Sequence, residues 1–296
     1  MNRRHISSAL VLFVTVALIV GCSGGTDGAS TFGQYDAQPV RGEVRVVHVH
    51  GLGINPKDGS LYAATHTGLF LIRADGTAER VGQSYQDTMG FTVVGPDQFL
   101  GSGHPDLRDY QAGRWPPLLG LISSDDAGKN WKSVSLKGEA DFHSLKIARQ
   151  QVYGFDSTGE AFMVSKDGGK SWDTRSKLAL IDFAVSPTNA DSVIGTTGRG
   201  LLKSNDGGKT WQPSGAQIMM LVAWPEAARL WGLDARGGVH LSDDGGTTWR
   251  PQGSLPGAPE AFLDAGSSLY AAVREQGIFQ SQDGGKTWRA FYRDPV

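Results

Sequence analysis

Five of the seven histidines in this 296-residue chain, His48, His50, His66, His104 and His143, fall between residues 48 and 143. Imidazole is the commonest metal ligand, and a mixed histidine and methionine environment, here with Met89 and Met220 as further candidates, favours copper. Zinc or iron would accept the same histidines. Cys22 is the only cysteine, so no thiolate is available in the rest of the chain. The competing reading is that these imidazoles hydrogen-bond to backbone and to one another. Asp182 and Glu260 offer a second chemistry, since glycoside hydrolysis needs two carboxyl groups about 5 to 9 Å apart around one bond.

Residues this far apart in sequence can meet only if a repeating scaffold gathers them. The phrase Ser-x-Asp-x-Gly-x-x-Trp occurs five times, starting at Ser124, Ser165, Ser204, Ser242 and Ser281, at intervals of 41, 39, 38 and 39 residues. Such a period fits one four-stranded propeller blade per repeat. Each phrase reads as a turn between antiparallel strands. The aspartates Asp126, Asp167, Asp206, Asp244 and Asp283 bond nearby amides, and the glycines accept positive φ. Trp131, Trp172, Trp211, Trp249 and Trp288 open the outgoing strands as apolar anchors. Four short β-prone runs per repeat give blades at about 87–137, 141–176, 180–214, 219–254 and 260–293. Val46–Ile54, Leu61–Thr65, Leu69–Arg73 and Glu79–Gly82 make one more, with Ala74-Asp75-Gly76 as its decayed turn. The expectation is an all-β chain, a single β-propeller of six four-stranded blades over residues 44–296. A seventh blade would need strands that residues 31–43 scarcely provide.

These phrases match the Asp box, or BNR repeat, and the chain resembles propellers of the sialidase-like superfamily and of photosystem II assembly-factor-like proteins. The stretches His48-Val49-His50-Gly51-Leu52-Gly53, Thr65-His66-Thr67-Gly68-Leu69-Phe70, Gly101-Ser102-Gly103-His104-Pro105 and Asp141-Phe142-His143 are similar to those of secreted bacterial Asp-box proteins labelled glycosyl hydrolase. The resemblance implies a glycosidase or an assembly role without assigning catalytic residues. A sialidase would show an Arg-Ile-Pro phrase and an arginine triad. The Arg-Ile-Pro phrase is absent, and only Arg274 reaches the expected face.

Counting back from each turn sorts residues by position in the blade. His50, Met89, His143, Asp182, Met220 and Glu260 share a place on the first strands, where a propeller opens its central channel. His48 lies two residues earlier, on the same strand face as His50. The ends of the second strands add His66 and His104, against Asp156, Thr197, Asp234 and Arg274 in the other blades. His240 aligns with Leu202 in a third strand and is expected to be packed or at an edge. Between the second and third strands of blade two, Pro105–Pro117 inserts about a dozen residues carrying Arg108, Tyr110, Arg114 and Trp115, a candidate lid or contact for a protein or glycan partner.

The N-terminus reads as an export signal. Asn2-Arg3-Arg4 precedes an apolar run from Ala9 to Val20, shorter than the roughly 20 residues needed to span a bilayer. Ile19-Val20-Gly21-Cys22 resembles a bacterial lipobox. The expectation is a signal over 1–21, lipidation at Cys22, a flexible tether over 22–43, and an extracytoplasmic protein held to a bacterial membrane by its lipid. A formal net charge of −2 gives no electrostatic case for nucleic acid.

Overall fold

The computed structural model describes residues 45–294; Cys22, the signal and the tether lie outside them. Blade one is β1 (Val49–Ile54), β2 (Leu61–Thr65), β3 (Gly68–Ile72) and β4 (Ala78–Arg80). Blade two is β5 (Asp87–Gly95), β6 (Gln98–His104), β7 (Leu121–Ser124) and β8 (Lys132–Ser135), with the short helix α1 (Leu107–Gln111) between β6 and β7. β9 (Phe142–Ala148), β10 (Gln151–Asp156), β11 (Ala161–Ser165) and β12 (Asp173–Lys177) form blade three. Blade four comprises β13 (Phe183–Val185), β14 (Val193–Thr197), β15 (Gly200–Ser204) and β16 (Gln212–Gly215). Blade five follows with β17 (Leu221–Glu226), β18 (Arg229–Leu233), β19 (Gly238–Ser242) and β20 (Arg250–Ser254). Blade six is β21 (Pro259–Asp264), β22 (Leu269–Val273), β23 (Gly277–Ser281) and β24 (Arg289–Tyr292).

Every sheet pairs its four strands antiparallel in chain order. The first strands meet one another in sequence, β1 with β5, β9, β13, β17 and β21, and β21 returns to β1. The fold is therefore a six-bladed propeller, as the repeat spacing predicts.

Because both faces of each blade meet a neighbour, strands such as β2 are buried throughout instead of alternating. Tyr62 and Ala64 pack with Phe91 and Phe99 of blade two, while Leu61 and Ala63 pack with Ala272 and Ile278 of blade six. Each of the six joints between blades carries its own apolar cluster. Among the described residues no strand is exchanged to close the ring: all four strands of every blade are consecutive. At the closing joint Phe70 and Ile72 pack with Ile278 and Tyr292, and Asp294 Oδ1 accepts from Val46 N and from the Tyr292 hydroxyl.

The repeated turns tie each blade to the one before it. In the turn at 165–172 the Ser165 hydroxyl donates to Asp167 and accepts from Gly169 N, while Asp167 accepts from the amides of Lys170 and Ser171. Trp172 Nε1 donates to Ser135 Oγ in blade two at 3.0 Å, and its ring lies 4.6 Å from that of Phe142. Gly169 has φ +89°, and a Cβ there would stand 2.1 Å from Leu121 Cδ2 of blade two. These turns lie at the opposite end of the sheets from the loops between second and third strands, as antiparallel order requires.

Candidate metal centre at the channel mouth

Four of the six first strands carry a bulge at their entry. In β1 the pairing steps from Val49↔Thr65 to Gly51↔Ala64, which leaves His50 as the extra residue. β9 steps past His143 and β21 past Glu260 in the same way, and in β5 the irregularity covers Met89 and Gly90. A bulge releases one residue from the ladder and re-aims its side chain. Here it turns one residue per strand into the channel. His50, Met89, His143, Asp182, Met220 and Glu260 all line one cavity of about 310 Å³, together with His48, Lys146 and Arg274. The six positions aligned from the sequence thus converge.

Beside this cavity, and sharing His50 with its lining, His50, His66 and Asp87 bring ligand atoms that all lie within 4.8 Å of one another. His66 Nδ1 is 2.9 Å from Asp87 Oδ2, and His50 Nε2 is 3.3 Å from Asp87 Oδ1. His66 is held at the end of β2, where its amide donates to His48 O. Asp87 opens β5, pressed against the strand leading to His104; a Cβ on Gly103 would stand 2.1 Å from Asp87 O, so only glycine fits there. Asp87 is 7 % exposed. Burial pushes its carboxyl up, but the imidazoles of His50 and His66 more than offset this and lower it to about 2. His50 Nε2 and Asp87 Oδ1 are both buried and meet as an ion pair whose angle falls short of a hydrogen bond. Two imidazoles and a carboxylate gathered this closely are a ligand set that suits a divalent transition ion.

A second set repeats the arrangement one blade on. Asp141 occupies in blade three the place of Asp87 in blade two, and His104 that of His66. Asp141 Oδ2 lies 2.8 Å from His143 Nε2 and 3.5 Å from His104 Nε2, and accepts from Ser157 Oγ at 3.2 Å. His104 Nδ1 is 3.0 Å from Pro117 O. For His143 burial acts to lower the imidazole, and the bond and charge of Asp141, with the charges of Asp87 and Asp156, overcome it and raise it. The ligand atoms of this second set do not meet the spacing of the first among the described residues. Asp87 is not among the candidates read from the sequence, and Asp141 enters there only within the stretch Asp141-Phe142-His143. The available signal was their position two residues before Met89 and His143, the same offset that relates His48 to His50.

The remaining candidates are engaged in other ways. Asp182 Oδ1 accepts from Ser144 Oγ at 2.8 Å and lies 3.2 Å from Lys146 Nζ, while Oδ2 accepts from Val222 N. It bridges blades three, four and five. Glu260 Oε2 accepts from Val49 N across the closing joint, and Oε1 lies 3.4 Å from Arg274 Nε and 3.8 Å from His48 Nδ1. His48 is exposed, adopts φ +49° and stacks edge-on to His66 at 6.2 Å. Met89 and Met220 are half-buried in the cavity wall. His240 leaves the mouth, as expected, with Nε2 3.1 Å from Asp234 Oδ2.

Arg108, Arg114 and Trp115 line a separate groove of about 380 Å³ with Gln83, Ser84 and Trp131. Arg108 pairs with Asp106 and Arg114 with Asp109, the Lys137 ammonium stands 4.2 Å over the Trp115 ring, and Tyr110 is exposed.

No family model matches the chain, and no curated protein matches it. Among solved structures, a gluconolactonase from Xanthomonas campestris aligns with TM-score 0.60 at 13% identity, over 75% of this chain and 81% of that one. An ancestral GH74 enzyme aligns with TM-score 0.52 at 15% identity over 82% of this chain, which spans only 38% of that protein. YCF48 bound to a D1 peptide aligns with TM-score 0.51 at 16% identity, over 83% of each chain. At these identities the likeness is one of fold: the chain is a β-propeller similar to proteins of several different activities.

Proposed function

We propose that the protein is a metal-binding propeller in which His50, His66 and Asp87 hold one divalent first-row transition ion at the channel mouth. The observation that carries this reading is the convergence of two imidazoles on one buried carboxylate, with ligand atoms that all lie within 4.8 Å of one another. Two imidazoles and a carboxylate suit copper(II), zinc or iron(II), and the general affinity order favours copper. X-ray absorption of the copper-loaded protein is expected to show a shell of nitrogen and oxygen ligands including imidazole. A sulfur shell would mean that Met89 or Met220 holds the ion instead and would overturn the assignment.

The lipobox resemblance supports a place outside the cytoplasm on a lipid tether. Replacing Cys22 by Ala is then expected to abolish lipid labelling and release the protein from membranes. Labelling that persists in the variant would refute the tether.

A further inference from the structure

We infer that the groove beside the insertion of blade two is a docking site for a proline-rich segment of another protein in the polyproline II conformation. The groove shares no residue with the proposed ion site and does not depend on it.

One of the five repeated turns differs from the rest at this groove. In four of them the indole N–H is satisfied within its own turn: Trp172 donates to Gly169 O, Trp211 to Gly208 O, Trp249 to Gly246 O and Trp288 to Gly285 O, at 3.1 to 3.2 Å. Trp131 is seated like the others. A Cβ on Gly101 would stand 3.1 Å from its Cζ3, as a Cβ on Gly195 would from that of Trp211. Yet Trp131 Nε1 makes no hydrogen bond among the described residues, and it is not one of their buried unpaired atoms, so it stays open to solvent. Trp131 is also the tryptophan that lines the groove with the insertion.

The facing wall is held in place. Trp115 lines the same groove, with the Lys137 ammonium 4.2 Å over one face of its ring. Asp106, 3 % exposed, accepts from Tyr85 N and Arg108 N, and Arg108 Nη2 donates to Gln83 O at 3.0 Å. These bonds tie the strand leading into blade two to the insertion. A groove built in advance spares a ligand the cost of ordering it.

The lining selects the ligand by what it no longer offers. Its two carboxylates are spent on its two arginines, Asp106 on Arg108 and Asp109 on Arg114, so these charges cancel and no carboxylate is left to take a proton from a ligand. What remains is an indole donor and flat aromatic surface. A polyol presents many hydroxyl donors, and an ordinary extended peptide presents an amide N–H at every residue. A prolyl segment has no N–H, leaves its carbonyls unpaired around the polyproline II helix, and offers flat rings to aromatic walls. The groove, about 380 Å³, takes a short stretch of such a chain, on the order of one turn or about 9 Å. In the docked state a carbonyl accepts from Trp131 Nε1 and a pyrrolidine ring lies on Trp115.

The test titrates the full-length protein into fluorescein-labelled, end-capped decaproline and follows anisotropy. Saturable binding is expected. Trp131→Phe keeps a ring in the joint and removes the N–H, and it is expected to weaken binding about tenfold. Trp115→Ala is expected to weaken it about tenfold or more. Trp172→Phe makes the same change in a turn whose indole is already satisfied and should leave binding unchanged, which separates the groove from a general loss of propeller stability. No saturable binding by the wild type, or equal binding by the wild type, Trp131→Phe and Trp115→Ala, would overturn the assignment. Binding of cellohexaose in place of decaproline, lost in Trp115→Ala, would overturn it as well, because the groove would then take a polyol.

Discussion

Asp87 is the residue on which the mouth depends, because it takes an imidazole from each of two strands of blade one while opening blade two. Its carboxyl falls from 3.8 to about 2, in spite of burial that acts the other way. A carboxylate depressed in the folded state contributes stability above its unfolded value, and that contribution is lost as pH falls through the folded one. The size here is about 2 kcal/mol, present above about pH 4 and gone near pH 2. Urea unfolding of the metal-free protein at pH 5 and pH 2.5 measures it. In Asp87→Asn the difference between the two pH values should shrink by about 2 kcal/mol; an unchanged difference would show that the imidazoles do not hold the carboxylate. The neighbouring histidines were legible in the sequence because His50 and His143 sit at bulges of the same register, so counting back from the turns found both. Asp87 was not, since alignment within blade two points to Met89, and the partners of Asp87 come from blade one.

The turn with its two glycines is the element that sets blade spacing, and its two glycines do different work. In the turn at 165–172 both have positive φ, but a Cβ on Gly168 would meet nothing within 4 Å, whereas on Gly169 it would strike Leu121. Gly168→Ala should therefore cost only the backbone penalty, about 1 kcal/mol. Gly169→Ala adds overpacking and should cost about 2 to 4 kcal/mol. Denaturant midpoints of the two variants compare them directly, and equal losses would mean the turn does not lock into blade two. Strand order, blade bounds and turn placement were all legible at this scale, since Ser, Asp, Gly and Trp each have a local role in the hairpin. The helix Leu107–Gln111 was not. It is five residues long, has no buried residue, and is capped by Asp106, which accepts from Arg108 N, so no apolar period announces it.

At the scale of the whole molecule, stability is distributed over six joints, and the ring closes with the same kind of joint as the others. Ile278 lies fully buried at the closing joint, and Ile194 lies fully buried between blades four and five. Substitution of either by Ala should cost about 2 to 5 kcal/mol, and the two costs should agree within about 1 kcal/mol. A much smaller loss for Ile278→Ala in thermal or denaturant unfolding would reveal a weak seam. Closure could not be read from the sequence, because blade one has no full turn phrase and its packing partners Ala261, Ala272, Ile278 and Tyr292 stand at the far end of the chain. The proposed ion would join blade one to blade two, so it is a clasp between adjacent blades. The most direct measurement is metal content after equilibrium dialysis of the full-length protein against copper(II) or zinc, with the His66→Ala, Asp87→Asn double variant alongside. One tightly held equivalent in the wild type, lost in the double variant, is the predicted result. No bound metal in the wild type, or equal binding in the variant, would contradict the account.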